Sequence, residues 1–539
     1  MRFEEYSPGA VCMNIAAILS KALRLFPDKE AVVDGDRRLT YRQAAERVNR
    51  LAAALAAAGI KSGECISIVA PNCLEFFETY YAGAVLGVIV NPINVRLLGP
   101  EMAFILNDAR SRLVIADPRY GTQIIKALEK AESVEGVVWL TDAPLTVNRV
   151  RSWAYEAFLA EGGMDFSPPA PLGDEAPAHL YYTSGTTGRP KGVILTHRNV
   201  TVHALAAIAE FNLNDTDVWY HVAPMFHLAD AWATFALTWV GGRHVMQPEF
   251  DAGQVLATIE KEGITLSNLI PTMLNLMVNH DMAEKFNYSS LRVILSGGAP
   301  IAPETVRRII STFNCDYIQT YGLTETSPYC TVSTLKAHLK ELPLEKQRQI
   351  ISRTGREFMA VELRVVDEQG RDVPRDDQSV GEIWVRGDTV TPGYLNRPEA
   401  NKEAFEDGWF KTGDLAVIDE EGYVNIVDRK KDIIISGGEN VYSTEVEYIL
   451  MEHPAVLECV VIGVPDPKWG EAVKAVVVPK PGEDVEETEL ISFVKEHLAH
   501  YKAPKSVDFV DALPKTGSGK LMKRAVREWY WKGEERRVH

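Results

Sequence analysis

The chain has 539 residues, 46% of them hydrophobic and 24% charged, with a formal net charge of −17. This composition is that of a globular protein of about two to four structural units. Its charge argues against general binding to nucleic acid or to anionic membranes. The six cysteines (12, 65, 73, 315, 330 and 459) are scattered without a Cys-x-x-Cys pair. That gives no zinc or disulfide pattern and fits a reducing, cytoplasmic setting. No apolar run approaches the ~20 residues of a membrane helix, and Met1-Arg-Phe-Glu-Glu-Tyr-Ser-Pro8 is too acidic for a signal peptide.

Taken in order, Thr40-Tyr-Arg-Gln43 reads as a capping box opening an alanine- and leucine-rich helix that Gly59 ends. Strand and helix patterns then alternate: Cys65–Ala70, Leu74–Leu86, Val88–Asn91, Pro100–Arg110 and Arg112–Asp117. Such alternation implies βαβ units and a parallel sheet. Leu180–Thr183 reads as a strand that ends in Ser184-Gly-Thr-Thr-Gly-Arg-Pro-Lys191-Gly192. Glycines let backbone N–H groups approach an anion, and hydroxyls plus a lysine extend the cradle to several phosphates. The stretch is not a Walker A loop, because Arg189-Pro190 separates Gly188 from Lys191.

Further strands are expected at Asp217–Ala223, Leu291–Leu295 and Tyr317–Thr320. They lead into Pro224-Met-Phe-His-Leu-Ala-Asp-Ala-Trp232, Ser296-Gly-Gly-Ala-Pro300 and Tyr321-Gly-Leu-Thr-Glu325. With the phosphate loop, these make four strand-to-loop junctions, expected on one side of a parallel sheet, where such folds place ligands. Asp230 is expected on the solvent face of its helix. A helix from about Pro303 and a solvated excursion at Lys336–Ile351 follow. A β-rich subdomain is expected at about 353–428, with strands Val361–Val366 and Gly381–Arg386. Beyond 428–431 comes a compact α+β module. It comprises a helix capped by Thr444-x-x-Glu447, strands Val456–Val464 and Ala472–Val478, helix Glu489–Leu498 and strand Val507–Val510. The fold class is therefore α/β: a large N-terminal domain of stacked αβ sheets with a small β-rich subdomain, then an α+β C-terminal domain.

Several residues admit two readings at this level. Asp414 in Lys411-Thr-Gly-Asp414 either satisfies a turn or accepts hydrogen bonds from a ribose diol. Glu325 is either a solvated loop residue or a carboxylate suited to Mg²⁺ beside phosphates. Gly437-Gly-Glu-Asn440 is a plain turn or a backbone surface for an extended ligand. Pro514-Lys-Thr-Gly-Ser-Gly-Lys520 presents one lysine on a glycine-rich loop.

Five motifs together, Tyr182–Gly192, Gln319–Glu325, Lys411–Asp414, Asp428-Arg-Lys-Lys-Asp432 and Pro514–Lys520, resemble the adenylate-forming superfamily of acyl-CoA synthetases, nonribosomal-peptide adenylation domains and firefly luciferase. The resemblance covers essentially the whole chain. It implies an adenylation domain at 1–428, a hinge at 429–431 pivoting at Lys431, and a mobile C-terminal domain at 432–539. It also implies an ATP-dependent acid–thiol ligase that forms an acyl-adenylate and then a CoA thioester, with Mg²⁺ accompanying ATP. By resemblance, Thr183 and Glu325 hold the metal and act in catalysis, and Lys520 serves the first half-reaction. ATP and AMP would be bound by Thr183, Ser184, Gly185, Thr186, Thr187, Gly188 and Lys191. Gly298, Ala299, Pro300, Gln319, Thr320, Tyr321, Gly322, Thr324, Asp414, Arg429, Lys431 and Lys520 complete that set. CoA would meet Gly437, Gly438, Glu439 and Asn440; the acid would meet Phe226, His227, Trp232, Gly298 and Tyr321.

The expected substrate is a medium- or long-chain fatty acid. An aryl-acid CoA ligase is the alternative, and a non-catalytic nucleotide-binding scaffold is the alternative from another class. In related fatty-acid ligases a tryptophan four residues after the matching histidine gates the channel; here that position is Ala231, with Trp232 one later. The partners implied are ATP, coenzyme A and a small carboxylic acid, with no nucleic acid and no integral membrane segment; a homodimer is compatible with the sequence.

Overall fold

The alanine- and leucine-rich run after Thr40 folds as helix Tyr41–Ala57 in the computed structural model, which describes residues 13–163, 166–169, 172–183, 190–298, 301, 303–515 and 521–531. Its capping box forms as expected: Thr40 Oγ1 accepts from Gln43 N–H, and Gln43 Oε1 accepts from Thr40 N–H. Gly59 then takes φ 91°, the left-handed conformation that glycine adopts freely.

Four sheets are present among the described residues. One has seven strands, ordered Arg151–Ala154, Gly136–Trp139, Ser111–Ala116, Cys65–Val69, Ile89–Pro92, Pro177–Thr183 and Lys191–Thr196. Another has nine strands, and its central strands Val218–His221, Leu266–Asn268, Val293–Gly297 and Asp316–Gly322 run parallel. A β-rich sheet is built on Glu362–Val366, Gly381–Arg386, Trp409–Ile418 and Val424–Arg429. The last sheet, around Val456–Asp466 and Gly470–Pro479, carries the C-terminal module.

This topology corrects one expectation. The four junctions do not share a sheet: the phosphate-loop strand Pro177–Thr183 belongs to the seven-stranded sheet, and the other three belong to the nine-stranded one. Leucine, valine and isoleucine runs of equal length do not reveal which sheet a strand joins.

Helix Leu74–Leu86 lies among these layers and is buried on nearly every side, its Glu75 and Glu78 included. Tyr80 Oη is 2.7 Å from Tyr181 Oη and donates to Met225 O, while Tyr81 Oη donates to Thr234 O. A second correction follows beside it. Asp230, expected at solvent, is fully buried in helix Leu228–Val240. The face of the helix that carries Asp230 meets the nine-stranded sheet, so it has no solvent side at this turn. Asp230 Oδ1 accepts from Trp219 Nε1, and Oδ2 lies 2.5 Å from His221 Nδ1. His221 Nε2 continues to His244 Nδ1, and His244 Nε2 to Thr238 Oγ1, each at 3.0 Å. A third correction concerns Thr444-x-x-Glu447: the helix begins at Ser443, and Glu447 accepts from Val461 N–H instead of capping.

Other buried imidazoles stay neutral. Burial lowers the His179 and His203 pKa values to about 3 and that of His197 to about 4. The unfolded chain takes up these protons near pH 6.5, so the fold loses stability as pH falls from there towards 4. Each ring contributes up to about 1.4 kcal/mol per pH unit in that window. His179 stacks on Phe235 with ring centroids 5.3 Å apart, a setting that phenylalanine can occupy. Thermal melts at pH 7 and pH 5 should therefore show a smaller drop in melting temperature for His179→Phe than for wild type; an equal drop would refute this account.

Candidate active site

Strands Pro177–Thr183 and Lys191–Thr196 form a hairpin whose last pair is Thr183 and Lys191. The phosphate-loop residues Ser184, Gly185, Thr186, Thr187 and Gly188 between them lie outside the described residues. So do Ala299, Pro300 and Lys520. Lys191 Nζ sits over the Tyr394 ring, 5.1 Å from its centroid. Tyr394 Oη donates to Glu325 Oε1 at 2.8 Å. Burial holds the Glu325 carboxyl above the usual range, opposed by the Tyr394 hydrogen bond and the charge of Lys191. The phosphate hairpin of one sheet and the acidic turn of the other thus meet at Tyr394.

Sequence reasoning missed Tyr394. The signal was the Pro392-Gly393 break in Thr391-Pro-Gly-Tyr-Leu395, which marks an irregular segment but not its partners. Ile194 N–H donates to Gly393 O, and Leu395 N–H to Gly192 O. Thr391 N–H donates to Glu325 O at 2.8 Å.

A second cluster gathers at Asp414, which is 5% exposed. Tyr321 Oη donates to Asp414 Oδ2 at 2.7 Å, and Arg429 Nε lies 3.2 Å from Oδ1. Asp414 and Arg429 are cross-strand partners, which fixes the pair. Each carboxylate oxygen keeps a lone pair for a further donor. Gly322 precedes the Thr324–Thr326 turn, and a Cβ there would overlap Pro328 O. Gly298 is exposed with φ 84°. Thr320 donates to Ser296 O; Gln319 faces the opposite side of the sheet, where its Oε1 accepts from Tyr317.

Towards helix Leu228–Val240, His227 is the N-cap and Phe226 is largely buried. Trp232 is 2% exposed, and its Nε1 donates to Tyr329 Oη at 2.9 Å. It packs against Trp219, Phe211 and His203 as part of an aromatic wall. Gly437 and Gly438, at φ 64° and 87°, make the two-residue turn of a hairpin pairing Ser436 with Glu439. Gly437 through Asn440 are exposed, and a Cβ at Gly437 would strike the Trp469 ring.

Lys431 is exposed on the connection between strands Val424–Arg429 and Ile434–Ser436. Beside it, Asp428 Oδ2 accepts from the N–H and the hydroxyl of Ser443, at 2.5 and 2.9 Å. The β-rich sheet thereby caps a helix of the C-terminal module, one that lacks a side-chain cap of its own. Lys523 bridges Ser443 Oγ and Glu447, and Arg527 pairs with Asp432.

Comparison with known proteins shows the family. Residues 19–395 match the model of the AMP-binding enzymes, and residues 445–520 match that of the AMP-binding enzyme C-terminal domain. This chain belongs to the AMP-binding enzyme family. It is an acid–thiol ligase of the AMP-forming acyl-CoA synthetase type. A feruloyl-CoA synthase of an Amycolatopsis species is 39% identical over 94% of this chain and 96% of its own. A long-chain-fatty-acid–CoA ligase of Thermus thermophilus is 34% identical over 96% of both. The solved structure of an anthranilate CoA ligase with anthranoyl-AMP superposes with a TM-score of 0.87 at 26% identity, covering 98% of this chain and 99% of that one.

Removing the shared cap should loosen the junction. Asp428→Ala costs about 1 kcal/mol for a lost helix cap and should speed limited proteolysis between the two modules several-fold. Unchanged cleavage would show that Asp428 does not hold them together.

Proposed function

We propose that this synthetase activates a compact acid, of aromatic-ring size, and transfers it to coenzyme A. The observation that carries this reading lies beneath helix Leu228–Val240. The space between helix and sheet is filled by Trp219, Trp232 and Tyr329 and by the Asp230–His221–His244 chain, each at most 3% exposed. A long acyl tail directed there would have to displace all of them, and close-packed cores resist such insertion. We therefore put the aryl-acid reading ahead of the fatty-acid one.

In the proposed reaction a carboxylate oxygen of the acid attacks the α-phosphorus of ATP. The bond to pyrophosphate breaks, leaving an acyl-adenylate; the CoA thiol then attacks the acyl carbon and AMP leaves. Lys191 holds phosphate oxygens, and Asp414 accepts hydroxyls of the ribose beside Tyr321. Lys520 offsets charge between the reacting anions in the first step, and the exposed Gly437–Asn440 turn meets CoA in the second. Lys431 is the pivot between the two poses. Preorganised charge of this kind is commonly the largest catalytic term. The hard oxygen set of Glu325 and Thr183 fits Mg²⁺, which favours few carboxylates plus phosphates. Bound there, it would supply positive charge against the phosphates, and the buried Glu325 carboxylate would be balanced by it.

ATP–pyrophosphate exchange with a mixed panel of acids tests the reading. Benzoates, phenylalkanoates and cinnamates should exceed saturated acids of twelve or more carbons by at least about tenfold in kcat/KM. The reverse order would overturn it. Tyr394→Phe removes a hydrogen bond that favours ionised Glu325, so the carboxyl ionises at higher pH. The acid limb of the pH–rate profile should move to higher pH; an unmoved limb would remove Glu325 from the mechanism.

A further inference from the structure

A further buried polar group under helix Leu228–Val240 is Asn268, at the end of strand Leu266–Asn268 and 2% exposed. Its Nδ2 donates to Ala229 O, in the first turn of the helix. A carbonyl oxygen can only accept, so this bond fixes the orientation of the carboxamide and leaves Oδ1 on its other side. Oδ1 is buried and has no hydrogen-bond partner among the described residues. Buried polar atoms of this kind are seldom left unmet, because the acceptor forfeits its water without replacement.

Its position says what could meet it. Asn268 pairs with Leu295, and Gly297 with Thr320. Both pairs face the helix, and the second lies two residues nearer the strand ends, about 7 Å along the sheet. Asn268 therefore stands one aromatic ring deeper than the strand ends where Gly298 and Tyr321 emerge. Trp232, bonded to Tyr329 Oη, stands beside it, because its Nε1 also donates to Ala229 O, at 3.2 Å. A ring entering from the strand ends would present its far edge to Oδ1.

We infer that Asn268 is a specificity-determining residue whose Oδ1 accepts a hydrogen bond from a hydroxyl on the ring of the acid, so that the substrate class is a hydroxylated aryl acid. This rests on the compact-acid reading above and goes beyond it. A neutral acceptor left unmet by the unsubstituted acid corresponds to a preference of roughly 10- to 100-fold.

The experiment measures kcat/KM in ATP–pyrophosphate exchange for two pairs, 4-hydroxybenzoate against benzoate and 4-hydroxycinnamate against cinnamate. Wild type should favour the hydroxylated member of at least one pair by about tenfold or more. Asn268→Leu should bring that ratio to within about threefold. A purely structural role for Asn268 would depress both acids alike and leave the ratio standing, which would overturn the inference. The wild-type ratio decides without any variant: values near one in both pairs mean that Oδ1 does not read the acid. If wild type turns over both members of a pair equally, the compact-acid reading survives and only the Asn268 assignment falls. If it turns over neither pair but consumes long saturated acids, both fall.

Discussion

A short backbone ladder between segments some two hundred residues apart holds the active site together. Ile194 and Gly192 exchange hydrogen bonds with Gly393 and Leu395, and Thr391 ties both to the carbonyl of Glu325. Three structures converge there: the hairpin of the seven-stranded sheet, the acidic turn leaving the nine-stranded sheet, and the entry to the β-rich sheet. Lys191, Tyr394 and Glu325 are brought into one column because their backbones are already bonded. The carboxylate tolerates burial because that column supplies a hydroxyl donor and a nearby cation.

Much of the fold could be read from the chain. Helix Leu74–Leu86 has the expected bounds, and the later strands differ by a few residues at their ends. These elements carry their own local information in hydrophobic period, caps and glycines. What stayed hidden was relational. The sheet to which Pro177–Thr183 belongs depends on partners more than eighty residues away. Asp230 looked solvent-facing because a helix carboxylate usually is; only the combination of an aromatic helix on one side and two histidine-bearing strands on the other buries it. Glu447 had the spacing of a cap, but Lys523 and the Val461 N–H claim its oxygens.

The candidate site divides along the same line. Glycine- and threonine-rich loops announce themselves, since their backbone demands are local. Tyr394, Asn268 and the capping role of Asp428 do not, since each matters through one atom meeting another far along the chain. The connection near Lys431 shows the contrast within a few residues. Its sequence is a plain run of charge, yet Asp428 and Asp432 are buried against the C-terminal module while Lys431 stays exposed.

The aromatic helix Leu74–Leu86 also constrains how the chain is made. Tyr80 and Tyr81 find their partners 101 to 153 residues later, at Tyr181, Met225 and Thr234. At 5–20 residues per second, a ribosome needs roughly 8–30 s to deliver the last of these. Throughout that interval Tyr80 and Tyr81 lack these hydrogen-bond partners, although the earlier helices can already pack against their helix. The nascent chain therefore carries an unsatisfied aromatic segment through much of the synthesis of its first half, and a chaperone that shields it then would act on yield without touching the finished enzyme.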